Sequence, residues 1–368
     1  VTCVAYADDL LLIVEGRSRV ELESGGTEWM RMVCEWGESV GVSVSESKTV
    51  VMLVKGNLAS TRRPCVRMNG KLVKYVQCLK YLGIWVSERM LFKVHLEYVR
   101  KKVVNAVGRM RRVLKCEWGM RKRAMWILYK GLVVACGMYG ASVWSDVMKA
   151  EYGRRHINRC QRVVMQACLN VCRTVSTEAM QVLMGGLPWD LECVRRSMIY
   201  KIKHGVSLGV NEVLTDEDVI GMEVDSCVKR VNESIYDIWQ SRWDGCVNGR
   251  VTHEYIRNVR FAEKNYMFEP STISAFLLTG HGSLNAFLYV RGLTECEACV
   301  YGTAREDWRH VLVECNRYGD LRDLSECGVR VSGVIDVSGV LECKERYECF
   351  SKLAVRIFRR RRELMQRL

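Results

Sequence analysis

Two acidic side chains stand next to each other near the start of the sequence, Asp8 and Asp9, in the stretch Tyr6-Ala7-Asp8-Asp9. Adjacent carboxylates repel, so keeping both ionised calls for a nearby cation. A pair of divalent metal ions is the usual chemical reason, because two metals clamp the attacking and leaving oxygens of a phosphoryl transfer. A second constellation lies near the other end: Cys296-Glu297-Ala298-Cys299, then ten residues, His310, four more, and Cys315. The first pair offers two thiolates to one metal, and His310 with Cys315 can close a tetrahedron. Four soft or borderline ligands with no open position fit structural Zn2+ rather than catalytic zinc.

The elements that must position these groups follow from the hydrophobic pattern. Apolar Val1–Ala5 and Leu10–Val14 bracket the aspartates, which predicts a tight hairpin packed against a core. Trp29, Met30, Met32, Val33 and Trp36 predict a helix over about 24–39, closed by Gly41. Lys48 precedes the strand Val50–Val54, Asn69-Gly70 predicts a hairpin turn, and Leu79–Val86 reads as further strand. From about 94 to 116, Val99, Val103, Val107, Met110 and Leu114 form one helical stripe, with Arg109, Arg111 and Arg112 among the cations on the remaining surface. Helices are expected over about 121–147 and 155–169. Another is expected from Ser176-Thr177-Glu178 to a stop at Gly185-Gly186, with Pro188 opening the next. Residues 207–235 are polar and acidic and read as a linker. Trp239 and Trp243 read as core. The terminal helix 353–368 carries Arg356, Arg359, Arg360, Arg361, Arg362 and Arg367.

Composition narrows the class. The chain has 368 residues, is 49% hydrophobic and 27% charged, and carries a formal charge of +14, which points to an acidic partner, nucleic acid first. No run approaches the roughly 18 uncharged apolar residues of a membrane-spanning helix; the longest apolar stretch, Met125–Tyr139, is interrupted by Lys130. Most of the 18 cysteines are scattered singly on apolar faces, as small core hydrophobes in a reducing compartment. Asp336, Glu342 and Lys344 could suit a metal-dependent nuclease, but their spacing reads better as surface charge. The sequence opens inside an apparent strand, so a fragment of a larger polypeptide is expected.

Tyr6-Ala7-Asp8-Asp9 resembles the Y-x-D-D box of reverse transcriptases, Lys48 matches the lysine of the following polymerase box, and Lys80-Tyr81-Leu82-Gly83 resembles the primer-grip segment of non-LTR retrotransposon polymerases. Arg173-Thr174-Val175-Ser176-Thr177-Glu178 and the cysteine–histidine cluster are similar to segments of the Pol polyproteins of arthropod type-1 retrotransposable elements that insert into ribosomal DNA. The resemblance implies an α+β chain. It would comprise part of a polymerase palm, antiparallel strands with a helix, over 1–90, and a helical thumb over 91–190. A helical connector would cover 191–290, and a zinc knuckle with a basic helix 291–368.

It also implies an RNA-directed DNA polymerase that uses two Mg2+ ions, with Asp8 a direct ligand, Asp9 an assisting one and Lys48 a general acid. Lys80, Tyr81, Arg109, Arg111, Arg112, Arg359 and Arg360 would contact nucleic acid. Element RNA as template, a target DNA primer and deoxynucleotides would be the partners, and the nucleus the place of action. A third catalytic aspartate would lie upstream, leaving this stretch unable to polymerise alone. The family's own nuclease, similar to apurinic endonucleases, would lie upstream too. The alternative is a zinc-stabilised nucleic-acid-binding module without catalysis.

Overall fold

Antiparallel β1 (Thr2–Tyr6) and β2 (Asp9–Ile13) form a hairpin with Tyr6 opposite Asp9, so the chain reverses at Ala7-Asp8. The computed structural model describes residues 1–54, 63–114, 126–169, 171–209, 213–264 and 271–366, with only the backbone at 111–114 and 264. The described chain divides into two compact units, Val1–Tyr98 and Val99–Leu368.

In the first unit, α1 (Arg19–Ser39) begins earlier than its apolar pattern predicts. Ser18 Oγ accepts the Glu21 N–H at 3.2 Å and the Glu21 carboxylate accepts the Arg17 N–H at 2.9 Å, a reciprocal cap. The helix then runs through Gly25-Gly26, where glycine serves packing: a Cβ on Gly26 would sit 2.8 Å from the Val66 side chain. Next come β3 (Val50–Val51), β4 (Arg67–Met68), β5 (Lys71–Leu72), β6 (Lys74–Tyr75), β7 (Cys78–Tyr81) and β8 (Ile84–Ser87). The β4–β5 turn is Asn69-Gly70, with φ of +50° and +75°, the backbone that a two-residue hairpin demands and that this dipeptide tolerates. Cys34, Val66, Met68 and Val73 form a small core, flanked by Met30, Val44 and Val51.

Two expectations for this unit need correction. Among the described residues the β1–β2 hairpin does not pack into a core: Tyr6 is 64% exposed, and Val4, Leu10 and Ile13 are 42%, 42% and 45% exposed. The two strands pair only with each other among the described residues, so neither apolar arm gains a covering layer from a neighbouring strand. Nor are all the strands antiparallel. β3 and β6 run parallel, Val50 beside Lys74, because the long connection holding the β4–β5 hairpin lets the chain return in the same direction.

The second unit is mostly helical. α2 (Lys93–Leu114) enters it at Val99 and buries the expected stripe of Val99, Val103, Val107 and Met110; the Leu114 side chain lies outside the described residues. The single helix expected over 121–147 is instead several pieces. Its first residues lie outside the described ones, a π-helical turn spans Tyr129–Val134, and Gly140 at φ +61° breaks the run before Ala141–Trp144.

Then follow α3 (Glu151–Cys168), α4 (Thr177–Met184), α5 (Trp189–Lys203) and α6 (Val224–Asp244). α4 starts and stops where its residues require: Ser176 Oγ accepts the Ala179 N–H at 3.2 Å, and Gly185 ends it at φ +64°. α6 takes in the last part of the expected linker, from Val224 on. Cys227, Val231, Ile235, Trp239 and Trp243 recur every fourth residue and are buried, which compels a helix with mostly polar residues between them. α7 (Arg250–Tyr255), α8 (Val259–Lys264), α9 (Thr272–Thr279) and α10 (Asn285–Val290) lead to β9 (Arg330–Ser332), β10 (Val334–Asp336) and the terminal α11 (Lys344–Met365). Among the described residues no single helix is long and apolar enough to cross a membrane. Short strands beside a helix-rich body agree with the α+β expectation.

Candidate functional sites

Asp8 and Asp9 are exposed at the tip of the β1–β2 hairpin. Ala7, just before them, has φ +50°, a left-handed conformation that costs a residue with a Cβ and is found where surrounding structure or function demands it. The strained turn presents two adjacent hard oxygen donors, the chemistry Mg2+ takes. Among the described residues they join no group of three ligand side chains, so a caged ion would need donors from elsewhere.

Lys48 is exposed in the turn before β3, its N–H bonded to the Ser45 carbonyl at 3.3 Å. Lys80-Tyr81-Leu82-Gly83 closes the β7–β8 hairpin, with Leu82 at φ +43° and Gly83 at +85°. The Lys80 ammonium lies 5.0 Å from the centroid of the Tyr98 ring, a cation–π contact, and Trp85 meets Tyr98 edge-on at 6.4 Å. The Tyr81 hydroxyl is buried and has no hydrogen-bond partner among the described residues. On α2, Arg109 is exposed; Arg111 and Arg112 belong to the helix but their side chains lie outside the described residues.

The cysteine–histidine cluster is assembled to three of its four expected ligands. Cys299, His310 and Cys315 offer ligand atoms that all lie within 4.8 Å of one another. The two sulfurs are 3.9 Å apart, close to the roughly 3.8 Å that two 2.3 Å zinc–sulfur bonds at a tetrahedral angle require. His310 Nε2 is buried with no hydrogen-bond partner among the described residues, while Nδ1 faces the Glu314 carboxylate at 3.6 Å. That arrangement leaves Nε2 as the ligand atom and Glu314 to orient the ring. Burial pushes the Cys299 thiol up to about 11, so a metal ion must displace its proton on binding. Cys296 is exposed and outside the group, its sulfur accepting the Ala298 N–H at 3.3 Å.

Local structure explains the convergence. Ala298 bridges Arg305 and the Cys299 N–H bonds the Ala304 carbonyl at 2.7 Å, so Cys299 sits at the mouth of a small loop. His310–Glu314 is a π-helical turn, whose wider spacing lets the Cys315 N–H reach the His310 carbonyl at 2.7 Å. Arg322 donates to the Leu312 carbonyl at 2.9 Å and steadies that turn.

Several residues that hold this region together were not singled out from the sequence. Glu306 is fully buried and takes a bidentate pair from Arg361 at 2.7 and 2.8 Å. Arg361 also donates to Asn285 Oδ1 at 2.8 Å, and Asn285 Nδ2 to the Ala298 carbonyl at 2.8 Å, tying α11 to the cysteine loop. Arg360 forks onto Asp320, whereas Arg359 is exposed. One terminal arginine is therefore a core ion pair, one a surface pair and one open to solvent. The tail acids are dispersed as well: Asp336 lies 3.9 Å from Arg257, Glu342 pairs with Arg346, and Lys344 with Glu348 at 3.5 Å.

The Arg173–Glu178 segment is clamped rather than open. Arg162 on α3 donates to the carbonyls of Arg173 and Val175, each at 2.7 Å, and to Thr177 Oγ1 at 2.9 Å. Thr174 Oγ1 bonds His281 Nδ1 at 2.9 Å, and desolvation with Arg291 nearby pushes the His281 imidazole down to about 4. Arg250, seven residues beyond Trp243, donates to the carbonyls of Trp243, Asp244 and Cys246 and caps α6. His253 bonds Asp244 at 2.8 Å.

Comparison with known proteins then places the chain. No family model matches it. No solved structure matches it either. It is 43% identical over 375 residues to the Retrovirus-related Pol polyprotein from type-1 retrotransposable element R1 2 of Nasonia vitripennis, covering 100% of this chain and 91% of that protein. It is 45% identical over 364 residues to the corresponding R1 polyprotein of Bradysia coprophila, covering 99% of this chain but 36% of the longer relative. Over 167 residues it is 25% identical to the RNA-directed DNA polymerase from mobile element jockey of Drosophila melanogaster, 45% of this chain and 17% of that protein. The chain belongs to the Pol polyproteins of insect type-1 R1 retrotransposable elements.

Proposed function

We propose that the chain is the C-terminal part of a non-LTR retrotransposon reverse transcriptase, which extends a target-DNA 3′ end along element RNA in the nucleus. The near full-length identity to R1 Pol polyproteins carries this reading, and the paired carboxylates at a strained, exposed turn give it a chemistry. Divalent magnesium, when held there, supplies stabilisation of the attacking and leaving oxygens. Asp8 and Asp9 contribute two of the donors, and an upstream carboxylate completes the set. Lys48 offers a proton or charge to the departing pyrophosphate, and Lys80 and Tyr81 position the primer. Arg109, Arg111, Arg112 and Arg359 contact phosphates, where each contact releases counterions. Arg360 joins them only by leaving Asp320.

Cys299, His310 and Cys315 would hold a structural Zn2+, with Cys296 the fourth ligand after its loop closes inward. The palm, thumb, connector and knuckle divide at about residues 90, 190 and 290. The target-cleaving nuclease lies elsewhere in the polyprotein, and the present stretch does not polymerise alone. Substituting Asp8→Ala in the complete polyprotein tests the reading. Primer extension should be lost with template binding retained, whereas undiminished extension would leave only a binding module.

A further inference from the structure

A second pair of thiols belongs to neither metal-ligand constellation. Cys327 Sγ and Cys349 Sγ are 3.0 Å apart. That is shorter than the roughly 3.8 Å that two thiolates on one zinc take, and the pair joins no three-ligand group among the described residues. It is about 1 Å longer than a disulfide bond. Both thiols are held on firm backbone. Gly328, at φ +73°, lies so close to Gly339 that a Cβ there would meet the Gly339 carbonyl oxygen at 2.5 Å, which fixes the segment carrying Cys327. Cys349 is on α11 beside the fully buried Phe350.

The two differ in access. Cys327 is fully buried, and Cys349 is half-buried, while both line a cavity of about 410 Å³. Four carboxylates and two cations share that lining: Asp323, Glu326, Glu345 and Glu348 against Lys352 and Arg356. The rim is net acidic.

We propose that Cys327 and Cys349 form a redox site that closes to an intramolecular disulfide by exchange with small-molecule disulfides, cationic ones faster than anionic ones. Cys349 gives its proton to solvent and its thiolate attacks one sulfur of the small disulfide. That S–S bond breaks and one small thiolate leaves, taking up a proton. Cys327 then loses its proton and attacks Cys349 Sγ in the mixed disulfide, and the second small thiolate leaves and is protonated. Two protein thiols are oxidised by two electrons and one small disulfide becomes two thiols. Burial pushes the Cys327 thiol up, which fits it to the second, intramolecular step, where proximity offsets poor ionisation. Closure ties the segment around Cys327 to α11, the helix whose Arg361 braces the cysteine–histidine loop.

The test treats the full chain with cystamine or with glutathione disulfide, alkylates the remaining thiols, and maps linked peptides by mass spectrometry. The expected product joins Cys327 to Cys349, forms several-fold faster with cystamine, and reverts in dithiothreitol. Cys327→Ser should halt at a mixed disulfide on Cys349, and Cys349→Ser should leave Cys327 alkylatable and unmodified. The wild-type chain alone can overturn the proposal. A mixed disulfide that persists on Cys349, or both thiols remaining alkylatable while other cysteines oxidise, would do so; a faster reaction with glutathione disulfide would remove the charge preference.

Discussion

Oxygen donors and sulfur donors occupy opposite surroundings in this chain. Asp8 and Asp9 stand on an exposed turn of a hairpin whose strands are themselves exposed, while Cys299, His310 and Cys315 are buried and braced from several sides. The difference follows from what each metal would do. A structural zinc is closed off by the protein and contributes folding energy, so its ligands belong in a packed, pre-arranged pocket. A catalytic magnesium keeps waters and meets substrate phosphates, so its carboxylates must remain reachable. On the proposed reading, the strained Ala7 and the His310 Nε2, without a hydrogen-bond partner among the described residues, would be the local marks of two such designs.

That contrast can be broken or sharpened by substitution. The largest effect is expected at the buried pair beneath the sulfur site: Arg361→Met leaves Glu306 charged and unpaired, and should cost about 3 to 5 kcal/mol in chemical denaturation. A smaller loss, about 1 to 3 kcal/mol, is expected for Tyr129→Phe in the same unit. The Tyr129 hydroxyl accepts from Gln161 at 3.1 Å and from Trp189 at 2.9 Å, so its removal leaves two buried donors short of a partner. At the hairpin, Val4→Thr should change stability by no more than about 0.5 kcal/mol, because Val4 is 42% exposed. A loss comparable to that of Tyr129→Phe would show that the hairpin is packed after all.

One acid-sensitive group is expected in the second unit between about pH 6.5 and 4. The His281 imidazole is pushed down to about 4 from an ordinary value of 6.5, so between those pH values the unfolded chain binds the proton and the folded chain does not. Stability from this group is present above about pH 6.5 and is lost as the pH falls through that window. His281→Asn should flatten the decline in melting temperature between pH 6.5 and 4. An unchanged slope would assign the acid sensitivity to other groups.

Much of this was legible in the sequence where a residue type forces a backbone. Asn69-Gly70 had to turn, Ser176 had to cap, and Gly185 had to stop α4. The α2 stripe was legible because its period is helical. The first turn of α1 was not read, since its Ser18–Glu21 cap lies ahead of the clear apolar stripe that begins at Trp29. α6 was obscured because the acids Asp216, Glu217, Asp218, Glu223 and Asp225 just ahead of its buried fourths coloured the reading of the whole stretch. The roles of Arg361 and Arg360 were not legible at all. Six neighbouring arginines look alike in sequence, and only tertiary contact with Glu306 and Asp320 separates core from surface. The ligand spacing disclosed that Cys299, His310 and Cys315 converge, but not that Cys296 stands apart from the other three.

The proposed contrast, a zinc site complete in this chain and a magnesium site that needs further donors, is tested most directly by metal analysis of the 368-residue chain and its Asp8→Ala and Cys299→Ser variants. Zinc should bind once per chain, persist in Asp8→Ala and vanish in Cys299→Ser, while Mn2+, as a reporter for Mg2+, should show no tight site in any of the three. Zinc retained by Cys299→Ser, or tight Mn2+ binding that disappears in Asp8→Ala, would contradict it.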